Sequence, residues 1–192
     1  MWIVCGLGNS GAKYDGTPHN IGFQVVDELS KQLNANWSLK FSALIAHTSV
    51  FSGPSAQKVV LVKPQQFMNL SGGPLKQVAN YFKVSANNLI VVHDDIDLPF
   101  GTIKAKLGGS DAGHNGLRSI TKSFNTNEYY RIRLGVGRPT GSVAVSSFVL
   151  GQFSKMQKNE LPEFLEHSVD ASLGLITSGL ESVQLKYHTK KP

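Results

Sequence analysis

The sequence predicts an α/β fold: a single domain with a twisted mixed β-sheet flanked by helices and a C-terminal helix. Three observations lead there. Leu89-Ile90-Val91-Val92 is a continuous apolar run, as a central strand shows when both its faces are covered. Similar short runs alternate along the chain with segments whose apolar residues recur at helical spacing. The length, 192 residues with 41% hydrophobic, is enough for one sizeable core. Residues 1–192 are therefore expected to form one domain, and no repeat, low-complexity tract or linker interrupts them.

Each element has its own warrant. Trp2-Ile3-Val4-Cys5 is a buried strand, and the loop GLGNSGAKYDGTPHN, positions 6–20, leaves its end. A patterned helix covers 21–33. Positions 43–50 and 58–63 are strands joined by the turn Ser52-Gly53-Pro54-Ser55, and Pro64 ends the second. After the polar stretch 65–73, Pro74 is placed as the first residue of a helix to Phe82, with Leu75, Val78, Ala79 and Phe82 on its buried side. The central strand 89–92 runs into His93-Asp94-Asp95-Ile96-Asp97, and 101–107 is a further strand. The glycine-bearing loop 108–116 precedes a short helix, 117–124. Positions 130–136 alternate basic and apolar residues as a half-exposed strand does. Positions 143–150 are expected as another strand or an ordered cover. Leu161, Leu165, Val169, Leu173 and Ile176 mark the long C-terminal helix, and a lysine-tipped tail closes the chain.

Composition narrows the function classes. No apolar run approaches the roughly 20 residues that span a bilayer, and the first residues lack the features of a signal peptide. The lone Cys5 rules out an intrachain disulfide and argues against a cysteine-based metal site. Cytoplasmic residence without membrane contact is the expectation. Net charge is +6, and positions 104–138 hold seven basic residues against two acids, a local +5 that suits a polyanion such as nucleic acid or a solvated basic face.

Two His-Asn pairs, His19-Asn20 and His114-Asn115, each follow a glycine loop. A loop histidine is a natural general acid or base near neutral pH, and an asparagine amide donates to a developing oxyanion without titrating. The plainer alternative is a surface histidine beside a helix cap. Asp94, directly after the central strand, is placed to hold an imidazole in one tautomer, while Asp95 or Asp97 would cap a turn. A divalent metal at His93 and the three aspartates ranks lower, because the segment lacks the spacing of a metal loop and its surroundings are basic. Asn69, between Met68 and Leu70, either positions a carbonyl or precedes the next helix as a turn residue. Gly6-x-Gly8 is half a dinucleotide fingerprint without its third glycine or its acid, so NAD binding is rejected. No G-x-S-x-G elbow is present, which leaves water as the nucleophile.

Five stretches together resemble bacterial-type peptidyl-tRNA hydrolases: GLGNSG with Tyr14 and His19-Asn20, PQQFMNLSG, VHDDIDLPFG, KLGGSDAGHNGLRSI and YYRIRLGVGRP. They occur in the family's order and cover positions 2 to about 150. Two positions depart from the common pattern, Ser10 in place of Pro and Pro18 in place of Arg. The second removes a basic residue beside His19.

The resemblance implies cleavage of the ester joining a peptide to the 3′ adenosine of tRNA, with no cofactor and no metal. His19 would be the catalytic base, Asp94 its orienting partner, and Asn9 a catalytic amide that helps select blocked aminoacyl groups. Asn69 and Asn115 would contact substrate, and Tyr14 and Phe67 would hold the 3′ end. His114, Lys106 and Arg133 would contact tRNA or peptide. The implied partner is peptidyl-tRNA, through its acceptor stem and 3′ end, and a monomer without an obligate protein partner is expected. Two other classes stand beside it: a non-catalytic RNA-binding module on the same fold, and an unrelated small-molecule hydrolase.

Overall fold

A computed structural model describes residues 1–139 and 141–188. In chain order the regular elements are β1 (Trp2–Gly6), α1 (Ile21–Gln32), β2 (Trp37–Lys40), β3 (Ala43–Ser52), β4 (Ser55–Pro64), α2 (Gly72–Phe82), β5 (Leu89–Asp95), β6 (Ile103–Leu107), α3 (Asn115–Phe124), β7 (Tyr130–Gly135), α4 (Val145–Val149), α5 (Lys155–Thr177) and α6 (Leu180–His188). The strands form one mixed sheet of order β2-β3-β4-β1-β5-β7-β6. The inner strands β4, β1, β5 and β7 run parallel, and β2, β3 and β6 are antiparallel to their neighbours.

The alternation of side chains across a strand divides the core in two. Val4, Ile90, Val92, Ile132 and Leu134 pack with residues of α1, α5 and α6. Ile3, Cys5, Leu89 and Val91 point the other way and pack with residues of α2 and α3. The apolar run 89–92 is thus covered on both faces, as its composition requires.

Two glycines set the height of α1 over the sheet. A Cβ at Gly6 would lie 2.1 Å from the Gly22 carbonyl oxygen, and one at Gly22 would lie 2.3 Å from that of Val92. Without side chains there, the start of α1 rests directly on the ends of β1 and β5. Leu7 N–H then reaches the Val92 carbonyl at 2.9 Å, and Phe23 N–H reaches that of Leu7 at 3.2 Å. The residues just before α1 are held against those just after Val92, which brings His19 to Asp94.

The structure corrects the sequence reading in a few places. Residues 145–149 are helical, so the alternative of a strand there is wrong; Val149 is buried while most of the segment is exposed. α2 starts at Gly72 and takes Pro74 as its third residue, where no intrahelical N–H bond is lost. The C-terminal region holds two helices, and α6 lies along the free edge of β6. Gln184 Nε2 donates to the Ala105 carbonyl (3.0 Å), and His188 Nε2 accepts the Ala105 N–H (2.8 Å). The very end of the lysine-tipped tail lies outside the described residues.

Candidate active site

The carboxyl ends of β1 and β5 are the point where a parallel sheet of this kind opens to ligands, because the chain leaves β1 toward the β2–β4 side and leaves β5 toward the opposite side, that of β6 and β7. A cavity of about 560 Å³ lies there. Its walls include Asn9, His19, Phe67, Asn69, Asp94, Lys106, His114, Asn115 and Arg133, with Val145, Val149 and Leu150 closing one side.

Asp94 stands at its centre and is 3% exposed. Its Oδ1 lies 2.9 Å from His19 Nδ1 and 2.9 Å from His114 Nε2; Oδ2 is 3.0 Å from His19 Nδ1. Burial alone would raise this carboxyl, but the two imidazoles outweigh it and hold Asp94 well below the usual carboxylate range. An ionised carboxylate only accepts, so both facing nitrogens carry protons. His114 is fixed independently: its Nδ1 accepts the N–H groups of Gly116 (3.1 Å) and Leu117 (3.4 Å), capping α3. Its proton therefore sits on Nε2. For His19 the proton sits on Nδ1, and the bare Nε2 has no hydrogen-bond partner among the described residues. His19 is a half-buried base with its lone pair at the cavity.

His93, behind this pair, is 3% exposed and makes an edge contact with the His114 ring, centroids 5.1 Å apart. Its Nδ1 donates to the Asp94 carbonyl at 2.8 Å. Burial, with His114 close by, lowers its affinity for a proton well below that of a free histidine.

Asn9 is oriented by two partners. Asn20 Oδ1 accepts its N–H (2.8 Å) and Asn20 Nδ2 donates to its carbonyl (2.9 Å), gripping the Asn9 backbone from both sides. The Asn9 Oδ1 accepts the Met68 N–H at 2.8 Å. Only the Nδ2 donor is left for the cavity. Asn115 is similar: Arg118 Nη1 donates to its Oδ1 at 3.3 Å, which leaves its NH₂ free.

His19, Asp94 and His114 are also the one group of potential metal ligands found among the described residues, their ligand atoms lying within 4.8 Å of one another. The donor set fits hydrogen bonding better than metal binding. Both nitrogens facing Asp94 carry protons, and the cap on α3 keeps that of His114 in place.

The family model for peptidyl-tRNA hydrolase matches residues 3–192. A peptidyl-tRNA hydrolase of Renibacterium salmoninarum is 47% identical over 192 residues, covering 99% of this chain and 98% of the relative. The chain belongs to the peptidyl-tRNA hydrolase family. A peptidyl-tRNA hydrolase of Streptomyces coelicolor is 41% identical, with 98% of this chain and 95% of the relative covered. The crystal structure of peptidyl-tRNA hydrolase from Acinetobacter baumannii superposes with a TM-score of 0.89 at 27% identity, covering all of this chain and 96% of that one.

Against this family, nine of the ten residues singled out in the sequence line the one cavity; Tyr14 does not. A short 3-10 turn, Ala12–Tyr14, follows Gly11 at φ 113°, and the Tyr14 ring instead lies under Lys13. His114 lines the cavity, but both its ring nitrogens are engaged within the chain. Arg133 donates to Asp95 Oδ2 at 2.8 Å, and Asp95 Oδ1 accepts the Asp97 N–H at 2.9 Å, the turn cap expected of one aspartate. Lys106 has no ion-pair partner among the described residues; burial, then Arg133 and Arg131, lowers its ammonium from the ordinary lysine value. The family departures are accommodated. Ser10 Oγ bridges to Gln65 Oε1 at 3.3 Å, and Pro18 begins the turn that carries His19.

Two contributors escaped the sequence reading. Asn20 looked like a helix cap, yet it makes no side-chain cap to α1. Arg131 was only one of seven basic residues; the burial of a cation within an apolar alternation is visible only in the fold.

Proposed function

We propose that the chain hydrolyses the ester of peptidyl-tRNA by general-base catalysis at His19, without metal or covalent intermediate. What carries this reading is Asp94 holding Nδ1–H of His19 while Nε2 stays bare in a cavity that also presents the Asn9 amide donor. His19 Nε2 takes a proton from water as the water oxygen attacks the acyl carbon. The resulting oxyanion accepts from the amide of Asn9, with Asn69 and Asn115 at the same cavity. The C–O bond to the ribose then breaks, His19 returns its proton to that oxygen, and a free peptide acid and tRNA leave. Asp94 stabilises the imidazolium that forms between the two proton transfers.

Lys106 and Arg133 lie at the cavity on the sheet face shared with Asp95. Cations there would hold acceptor-stem phosphates and position the 3′ end without reading sequence. Phe67, 57% exposed at the rim, offers a ring on which the terminal base stacks. We take the working form to be one monomeric domain in the cytoplasm; no helix among the described residues is long and apolar enough to cross a membrane. The test is cleavage of N-acetyl-aminoacyl-tRNA against unblocked aminoacyl-tRNA, with and without chelator. Preference for the blocked ester, unchanged by chelator, is expected. Salt-sensitive tRNA binding without cleavage would instead support a binding module.

A further inference from the structure

Arg131 lies in β7 between β5 and β6 and is 1% exposed. Its neighbours on the same sheet face, Lys106 and Arg133, reach the cavity as cations, and its position invites the same role. Its bonds differ. Nη1 donates to the Ser110 carbonyl and Nη2 to the Gly109 carbonyl, both at 2.6 Å. The guanidinium carbon stands 4.8 Å from the centroid of the Tyr129 ring. That tyrosine is fully buried; its hydroxyl donates to the Leu117 carbonyl (3.3 Å) and meets Thr121 Oγ1 at 3.0 Å, both in α3. No carboxylate forms an ion pair with Arg131 among the described residues. A guanidinium stays charged in a protein, so this charge is spent on two successive peptide carbonyls.

Those carbonyls begin the loop that ends at His114. The loop is conformationally expensive: Gly108, Gly109, Ala112 and Gly113 have φ of 68°, 101°, 47° and 83°. Ala112, with a Cβ, is disfavoured there. No ladder of backbone bonds supports it. Gly108 N–H reaches the Tyr129 carbonyl (3.1 Å), and Asp111 receives the N–H groups of Gly113 and His114 (2.8 Å each). Between these ends the fork of Arg131 ties Gly109 and Ser110 to the sheet, beside a longer bond from Asn127 Nδ2 to the Gly109 carbonyl (3.3 Å) and the exposed pairing of Asp111 with Arg118 of α3. Its stacking on Tyr129 ties the same point to α3 from within the core.

We propose that Arg131 is a positioning residue: it pins Gly109 and Ser110 so that the loop delivers His114 to Asp94, and it does not serve as a phosphate contact. The inference rests on the reading of His19 and Asp94 as the working pair. A charge-assisted bidentate fork suits the task, because two parallel bonds fix direction as well as distance. Lysine, a point charge on a flexible stem, can hold one carbonyl but not both in register.

The test compares Arg131→Gln and Arg131→Lys with Arg133→Gln. Three readouts separate the roles: kcat and KM on N-acetyl-aminoacyl-tRNA, the salt dependence of binding to deacylated tRNA, and amide hydrogen exchange over residues 108–116. For Arg131→Gln we expect kcat to fall about 10- to 100-fold, as a misplacement of order 1 Å does, with faster exchange in the loop and an unchanged salt slope. Arg131→Lys should recover part of the kcat. Arg133→Gln should instead lower the salt slope by about 1. The proposal is overturned if Arg131→Gln lowers the salt slope like Arg133→Gln, or if loop exchange stays as in wild type. If Arg131→Gln does not fold, Arg131→Lys carries the same readouts, and wild-type loop exchange with wild-type kcat overturns the proposal. Exchange and tRNA binding need no turnover. A wild type that cleaves no ester therefore defeats the reading of the site while the exchange data still decide the role of Arg131.

Discussion

His19-Asn20 and His114-Asn115 are the same dipeptide after the same kind of glycine loop, and the fold uses them in opposite ways. In the first pair the histidine is open to the cavity, and the asparagine is consumed in gripping the Asn9 backbone. In the second the histidine is consumed, one nitrogen on Asp94 and the other on the start of α3, and the asparagine lines the cavity. The two rings stand 5.0 Å apart on one shared carboxylate. A dipeptide therefore carries no fixed role. Which member works is decided by which polar atoms the backbone has already claimed.

That contrast is open to direct attack. The largest effect is expected at His19: His19→Ala should lower kcat by roughly 10²–10⁴ with little change in KM, measured by single turnover. His19→Ala activity equal to wild type would move the work elsewhere. Next comes Asn9→Ala, which removes an amide donor and should cost on the order of 10²–10³ in kcat. Compared with Asn9→Ala, which strips only the Met68 N–H of its acceptor, Asn20→Ala should imitate part of the kcat loss and lower thermal stability further. It leaves the buried N–H and carbonyl of Asn9 without their partner, at about 1–3 kcal/mol. Equal melting temperatures for the two variants would refute the division between scaffold and working amide.

A smaller and more diagnostic effect is expected at His114. Asparagine is a good N-cap, so His114→Asn should keep α3 intact while losing the second donor to Asp94. With one of its two imidazoles gone, Asp94 is held less far below the usual carboxylate range, and the acid limb of the stability curve should move to higher pH. An unmoved limb would mean that His114 does no more than cap the helix.

The smallest effect concerns stability against pH. His93 is buried with its proton affinity depressed, so below the usual histidine range the unfolded chain binds a proton that the folded chain refuses. Stability should therefore decline as pH falls from about 6.5 to 5, by at most about 1.4 kcal/mol per pH unit for one group. His188 is depressed in the same direction, chiefly by burial, and adds to this window. Asp94 acts later: its contribution is complete above the ordinary carboxylate range and is lost only as pH falls toward its depressed value. Replacing His93 by Gln should flatten the upper part of the curve only.

Much of this could be read before any fold was known. The run 89–92 located the central strand, which extends to Asp95, and the place of Asp94 near its carboxyl end made the pairing with His19 legible, because ligands gather at such strand ends. Other features were hidden for physical reasons. In α4, alternating valines read as strand, yet one short turn with a buried Val149 suffices there. β2 is only four residues long and almost wholly exposed, so it carries no burial pattern. Arg131 and Arg133 both sit in an alternating strand, and nothing local tells the buried cation from the half-exposed one. Tyr14 shows the reverse case: its motif position is legible, while the turn of the backbone that aims it is not.

The inverse use of the two histidines is tested most directly by long-range nitrogen–proton NMR of histidine-labelled protein near pH 7.5. The account predicts that His19 carries its proton on Nδ1 with a bare Nε2, and that His114 carries its proton on Nε2 with a bare Nδ1. A His19 with its proton on Nε2 would contradict it, since that ring would have neither a hydrogen bond to give Asp94 nor a lone pair to offer water.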